Sequence, residues 1–177
     1  RDFYESLLPK FRNKLNFHWA LEALEENSYS SKDDISDETT LSKTLDDATD
    51  DTSAHNQSSI VFLLETDEKQ KFLFTGDAGR DAFNHVPQTL LGKVKDVTWM
   101  KVPHHGSKHN LDSTIIKHVN PEIAYISTEK QGKYLNRSTV FALKKNGTKV
   151  YSTSQNRSTI RHGAIKTREG WTKIEPM

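Results

Sequence analysis

Lys101-Val102-Pro103-His104-His105-Gly106-Ser107 follows directly on the apolar run that starts at Val97, and Thr75-Gly76-Asp77-Ala78-Gly79-Arg80 follows on Phe72-Leu73-Phe74. These two stretches decide the fold. Each predicts a strand that runs out into a turn carrying chemically capable side chains. A rigid sheet holds such a turn still. Gly76 removes a side chain that would keep a ligand away from Asp77. A carboxylate in that position can bind one metal ion or bridge two, and neutral imidazole is the commonest metal ligand. Neighbouring side chains point apart, so one of His104 and His105 is expected to be a ligand, and the other to support it or to face substrate. Gly106 allows a tight turn, which Ser107 is placed to hydrogen-bond. Alone, Gly-Asp reads as a turn, and a His pair as a helix cap or a surface pair. Together, each after an apolar strand, they read as a metal site.

Working outward, Ile60-Val61-Phe62-Leu63-Leu64 and Phe72-Leu73-Phe74, separated by the polar Asp67-Glu68-Lys69-Gln70, predict a hairpin. Arg80 to Leu91 has a helical pattern with Pro87 as an irregularity, and Leu111, Ile115, Ile116 and Val119 fit a further helix. Ile123-Ala124-Tyr125-Ile126 reads as a buried strand. Ser138 to Asn146 reads as a helix, with Ser138 as its cap and Gly147 as its stop. Short strands are expected at Lys149–Tyr151, Thr159–Arg161 and Ala164–Lys166. Continuous apolar strands separated by helices mean a sheet covered on its faces, hence an α/β domain.

The 177 residues suit one domain, and 25 Lys+Arg against 24 Asp+Glu give no global field that argues for nucleic acid or membrane. The absence of Cys excludes a disulfide framework, a thiolate zinc site and a Cys nucleophile. No apolar run reaches the roughly 18 residues of a membrane span. The composition suits a reducing or an oxidising compartment equally, with the cytoplasm as the default expectation. Mean hydropathy is low at -0.76, and the deficit is local. Between Asn27 and Ala54 lie eight acids and two bases, a composition that predicts a disordered or loosely helical insertion over 27–54. Residues 1–26 space Phe3, Leu7, Leu8, Phe11, Leu15, Trp19, Leu21 and Leu24 as an amphipathic helix would. The stretch from Lys144 to Met177 carries eight bases against two acids; it reads first as a solvated edge and second as a track for a phosphate backbone. His18 reads as packing and His55 as solvated, while His109, His118 and His162 have no partner pattern. A Ser107 nucleophile lacks the Gly-x-Ser-x-Gly context that would present it.

Asn56-Gln57-Ser58-Ser59-Ile60-Val61-Phe62-Leu63-Leu64, the two loops above, Asn120-Pro121-Glu122-Ile123-Ala124-Tyr125-Ile126-Ser127 and Lys145-Asn146-Gly147 together resemble the metallo-β-lactamase-fold hydrolases, closest to the ComEC-like metallo-hydrolase domain. The resemblance covers about residues 55–155 and implies that 55–177 is the C-terminal part of such a domain: half of a four-layer αββα sandwich with mixed sheets. It implies one or two metal ions, most often zinc, with manganese or iron as alternatives. Asp77 takes the bridging-carboxylate position and His105 the late histidine position. His104 is then a support or faces substrate, or the two histidines exchange roles. Ser107 and Asn56 are expected to shape the substrate side. The family reaction is hydrolysis by a metal-activated hydroxide, in this branch on a phosphodiester of nucleic acid or a nucleotide. Two features depart from the family. The H-x-H-x-D-H motif is absent, so the chain, which starts at Arg1, is expected to be a fragment whose missing N-terminal half completes the site. Asn136-Arg137 stands where relatives often have His-Pro. A degenerate, non-catalytic binding or structural module of the same fold is the alternative.

Overall fold

The structure is a computed structural model that describes residues 38–128, 134–153, 159–161 and 171–177. Its centre is a five-stranded sheet in the order β1-β2-β3-β4-β5, built from β1 (Phe62–Glu65), β2 (Lys71–Phe74), β3 (Trp99–Lys101), β4 (Ile123–Ile126) and β5 (Lys149–Ser152). The hairpin β1–β2 is antiparallel, pairing Phe62 with Phe74 and Leu64 with Phe72. The other pairings are parallel, so each needs a crossover. Between β2 and β3 run α3 (Arg80–Asn84) and α4 (Gln88–Leu91), between β3 and β4 runs α5 (Ser113–Val119), and between β4 and β5 runs α6 (Arg137–Lys145). The helical pattern expected over Arg80 to Leu91 is therefore broken in two: Pro87 lacks the N–H a continuous helix needs and serves as the cap of α4. A separate parallel pair, β6 (Thr159–Arg161) with β7 (Trp171–Lys173), lies near the C-terminus. The amphipathic helix expected over 1–26, and the strand expected at Ala164–Lys166, lie outside the described residues. So do His18 and His162.

The two faces of the central sheet differ in chemistry. Leu73, Met100, Ala124 and Val150 are register partners on successive strands, and all are at most 1% exposed. They meet Phe83, Ile115, Ile116, Val119, Ala142 and Leu143 of the covering helices in one cluster. The opposite face carries aromatic rings, because side chains two residues apart share a face. Phe62 stacks on Phe74 at 4.6 Å, Phe74 meets Trp99 at 5.1 Å, Trp99 meets Tyr125 at 5.7 Å, and Tyr125 stacks on Tyr151 at 5.2 Å. At its β1 edge the row becomes open: Ile60, Phe62 and Leu64 are exposed.

Within this row burial, and next the neighbouring Tyr151, push the Tyr125 phenol up to about 12. The folded chain thus holds this proton more tightly than an unfolded chain, whose tyrosines titrate near pH 10. The stabilisation is complete below about pH 10 and is lost as pH rises through about 12. In an ultraviolet titration of the phenolate band, one of the five tyrosines is expected to ionise late, and Tyr125→Phe to remove that late step. Simultaneous ionisation near pH 10 would contradict the assignment.

Two sequence expectations need correction. The cap of α6 is Asn136, whose Oδ1 accepts the Ser138 N–H at 2.9 Å; Ser138 is the second residue of the helix and is buried. Both side chains suit a cap, but the chain enters the helix from the extended Asn136. The helix stops at Asn146 and Gly147 as expected, with the Thr148 N–H returning to the Leu143 carbonyl at 3.1 Å. The second correction concerns the acidic stretch. Its first part, 27–37, lies outside the described residues, but 38–54 is ordered. It forms α1 (Glu38–Asp46), which packs on α5 and α6 with Leu45 fully buried, and then runs to the short α2 (Ala54–Gln57). One buried leucine and a buried guanidinium, described next, replace the apolar content that the composition lacks.

Candidate metal centre

Arg80 fastens the acidic segment to the sheet. Its side chain is 7% exposed. It donates to the carbonyls of Leu45 (2.7 Å), Ala48 (3.0 Å), Lys108 (3.0 Å) and Leu111 (3.1 Å), and Nη1 meets Asp50 Oδ1 at 2.9 Å. All of a guanidinium's donors are suited to such a fork of acceptors. On the other side His109 donates from Nδ1 to the Thr49 carbonyl at 2.6 Å; burial, the largest influence, holds that imidazole below its ordinary range. The segment so held brings Asp51 under the His104 loop.

The two motif loops lie side by side. Thr75 Oγ1 donates to the Lys101 carbonyl at 2.7 Å, and the His104 N–H to the Gly76 carbonyl at 3.3 Å. Gly76 has φ +56°, and a Cβ there would meet Ser59 Cβ at 3.0 Å. Residues 103–106 form a kinked turn, not a continuous 3₁₀ helix, in which His104 (φ 41°, ψ 53°) and His105 (φ 54°, ψ 21°) are both left-handed. Each such residue costs on the order of 1 kcal/mol or more and persists where the surroundings impose it. Gly106 continues the turn at φ +88°, where a Cβ would press on Ile126 and Leu135. The two rings lie 6.1 Å apart, and both pack against Tyr134, at 4.6 Å and 5.6 Å.

The hydrogen bonds orient each ring. His104 Nδ1 is 3.1 Å from Asp51 Oδ2. The same oxygen receives Asn56 Nδ2 (2.8 Å) and Asn110 Nδ2 (3.0 Å), and Oδ1 receives the Ser53 N–H (2.9 Å). Burial by itself would raise the Asp51 pKa, but the bonds from His104, Asn56, Asn110 and Ser53 outweigh it together and hold the carboxyl below its ordinary value. His105 Nδ1 donates to the Ser127 carbonyl at 2.5 Å. Both imidazoles are thus engaged at Nδ1 by an oxygen acceptor, which is how ligating histidines are usually held, with the lone pair on Nε2.

Asp77, on the adjoining loop, anchors its N–H on Ser59 Oγ at 3.1 Å. Lys101 Nζ donates to the Gly76 carbonyl at 2.5 Å and lies 3.4 Å from Asp77 Oδ1. Asn110 ties the pieces together, donating to Asp51 and to the carbonyls of Asp77 (3.2 Å) and Ala78 (3.3 Å). Ser107 and Asn56 lie in the wall beneath the loops, both buried. The Ser107 hydroxyl accepts the His109 N–H at 3.2 Å, and Asn56 bonds to Asp51. His55 is exposed, and His118 bonds the Leu91 carbonyl at 3.1 Å.

The donor types suit a borderline cation such as zinc: two imidazoles, each with Nδ1 facing an oxygen, and one carboxylate on the next loop. They are not gathered into a finished cage, for no group of three His, Asp or Glu side chains at metal-holding distance occurs among the described residues. Sequence reasoning missed Asp51, Lys101, Asn110 and Arg80. Lys101 alone carried a signal, since it shares a strand face with Trp99 at the end nearest the loops.

The chain is similar to ComE operon protein 3 of Bacillus subtilis (strain 168), with 30% identity over 128 residues, which is 71% of this chain and 16% of that protein. The chain thus spans about one sixth of the length of the curated relative it matches. No family model matches the chain, and no solved structure matches it.

Proposed function

We propose that this chain is the C-terminal part of a metal-dependent hydrolase of the metallo-β-lactamase fold that cleaves phosphodiester bonds in nucleic acid or a nucleotide. The observation that carries the reading is the arrangement of the His104-His105 turn. It holds two consecutive left-handed histidines, each bonded at Nδ1 to an oxygen acceptor, and a backbone bond ties it to the Gly76-Asp77 loop. Similarity to ComE operon protein 3 supports the same reading. His104 and His105 would hold zinc, or manganese or iron, through Nε2, and Asp77 through its carboxylate. Polypeptide upstream would supply the donors that complete the set, and a second sheet packed on the aromatic face of the first would complete a four-layer αββα sandwich. The ion, when bound, supplies Lewis acidity and lowers the pKa of water toward 7. The chain's own residues do the rest. Asp51 and Ser127 orient the two rings, Tyr134 packs against both, and Lys101 places a positive charge beside Asp77, where an anionic substrate would approach.

The Lys101 ammonium 3.4 Å from Asp77 also favours the alternative, a degenerate module in which a lysine satisfies the carboxylate in place of a cation. Metal analysis decides between them, on the protein as expressed from its whole reading frame. Stoichiometric zinc or manganese, and hydrolysis of bis(4-nitrophenyl) phosphate that chelator abolishes and metal restores, are expected for the hydrolase. Substoichiometric metal and no hydrolysis would leave the module.

A further inference from the structure

We propose that Asp51 is a positioning residue that fixes the tautomer of His104, which makes the Arg80-fastened acidic segment a built part of the centre. The inference rests on the reading of His104 as a ring that acts through Nε2.

Three N–H donors converge on the Asp51 carboxylate, the Ser53 backbone on Oδ1 and Asn56 and Asn110 on Oδ2, and His104 Nδ1 faces Oδ2 at 3.1 Å. A carboxyl group so surrounded serves as an acceptor, with no proton of its own to offer. The His104 nitrogen facing it must then carry the hydrogen, and the neutral ring bears its lone pair on Nε2. The Asn56 amide gives one hydrogen to Asp51 at 2.8 Å and lies 3.3 Å from the same ring nitrogen; its second hydrogen could serve a bare Nδ1, but the shorter bond from the ring to a charged acceptor is the stronger of the two. Rotation of the ring would break its bond to the Asp51 carboxylate.

The distances also show why the carboxylate stays in place. Asp51 is largely covered, its side chain 10% exposed. Its own N–H is spent on the His109 carbonyl at 3.1 Å. Its carbonyl accepts from Gln57 Nε2. On one side Asp50 is held by Arg80, and on the other Ser53 caps α2. A carboxylate this constrained selects a single orientation of the imidazole opposite it. A buried acid beside an imidazole does the same where it sets a histidine for general-base work, and replacing that acid by its amide there inverts the tautomer.

Histidine-selective ¹⁵N NMR on the metal-free full chain tests the proposal, with the His104→Gln spectrum used to assign the ring. Above the pH at which the ring is neutral, His104 is expected as the Nδ1–H form. In Asp51→Asn the amide NH₂ can face the ring, and the population is expected to shift to the Nε2–H form. In Asn56→Ala, which leaves the Asp51–His104 bond intact, the wild-type pattern is expected to persist. A wild-type ring that is Nε2–H, or an even mixture, overturns the proposal by itself, even if Asp51→Asn fails to fold. An Asp51→Asn ring that keeps the wild-type pattern overturns it as well. Because no metal or turnover enters the measurement, loss of the hydrolase reading would leave a positive result as the description of an oriented but non-catalytic histidine.

Discussion

Arg80→Met is expected to destabilise the fold by about 3–5 kcal/mol, the range seen when one partner of a buried ionic cluster is removed. Methionine fills similar volume, so the effect would come from polar groups rather than from a cavity. The carbonyls of Leu45, Ala48, Lys108 and Leu111 would lose a charged donor, and a hydrogen bond to a charged group contributes about 1.5–3 kcal/mol. Not all four would stay unpaired, because the segment would move and let water in, which caps the total. Asp50 is nearly half exposed and would simply return to solvent. The check is urea denaturation followed by far-ultraviolet circular dichroism. A midpoint within error of wild type would mean that packing on α5 and α6 holds α1 without help from Arg80. Limited proteolysis would then separate local from global loss: the expected first cleavages fall between Leu45 and Ser53.

The same residue shows where sequence reading ended. The hairpin of β1 and β2, the three crossover strands and the helix before β5 were legible, because long apolar runs between polar turns leave few other placements. Which sheet face is the core was not. Phe62-Leu63-Leu64 and Phe72-Leu73-Phe74 are apolar at every position, so the period-two signal that marks a half-buried strand is missing. Arg80 read only as the start of a helix, and the acidic stretch as disordered or loosely helical. Both readings are local, whereas the bonds from Arg80 to the carbonyls of Ala48 and Leu45 join positions 32 and 35 residues apart. Asp51 is harder still. It is one of eight acids in its stretch, and its partner His104 is 53 residues away. The motif loops named the side chains proposed to carry chemistry, but composition and spacing say nothing about which ring nitrogen bears the hydrogen.

Substitution at the centre carries the largest expected functional effect. Changing a group that only supports a metal ligand typically costs 10–100-fold in metal affinity or activity, so removing a donor should cost more. His105→Ala and Asp77→Asn are each expected to lower metal-dependent phosphodiester hydrolysis by more than about 100-fold, with folding intact. Asp77→Asn is the sharper probe. The amide keeps the shape of the turn and the N–H bond to Ser59 Oγ, so a role confined to the turn predicts nearly unchanged turnover. It also deprives Lys101 of its ionic partner while leaving the bond to the Gly76 carbonyl, so a purely structural ion pair predicts a small stability change and nothing more. That pair is a third exposed on average and contributes little to folding. Lys101→Met separates the two readings of the centre. If Asp77 serves a cation, removing the competing ammonium should leave metal affinity equal or tighter, while hydrolysis of an anionic substrate weakens through KM. If the lysine has taken the cation's place, Lys101→Met should leave Asp77 uncompensated and yield neither metal binding nor turnover. Parallel titrations of both variants with zinc, read by metal retained after gel filtration and by initial rates, distinguish these outcomes.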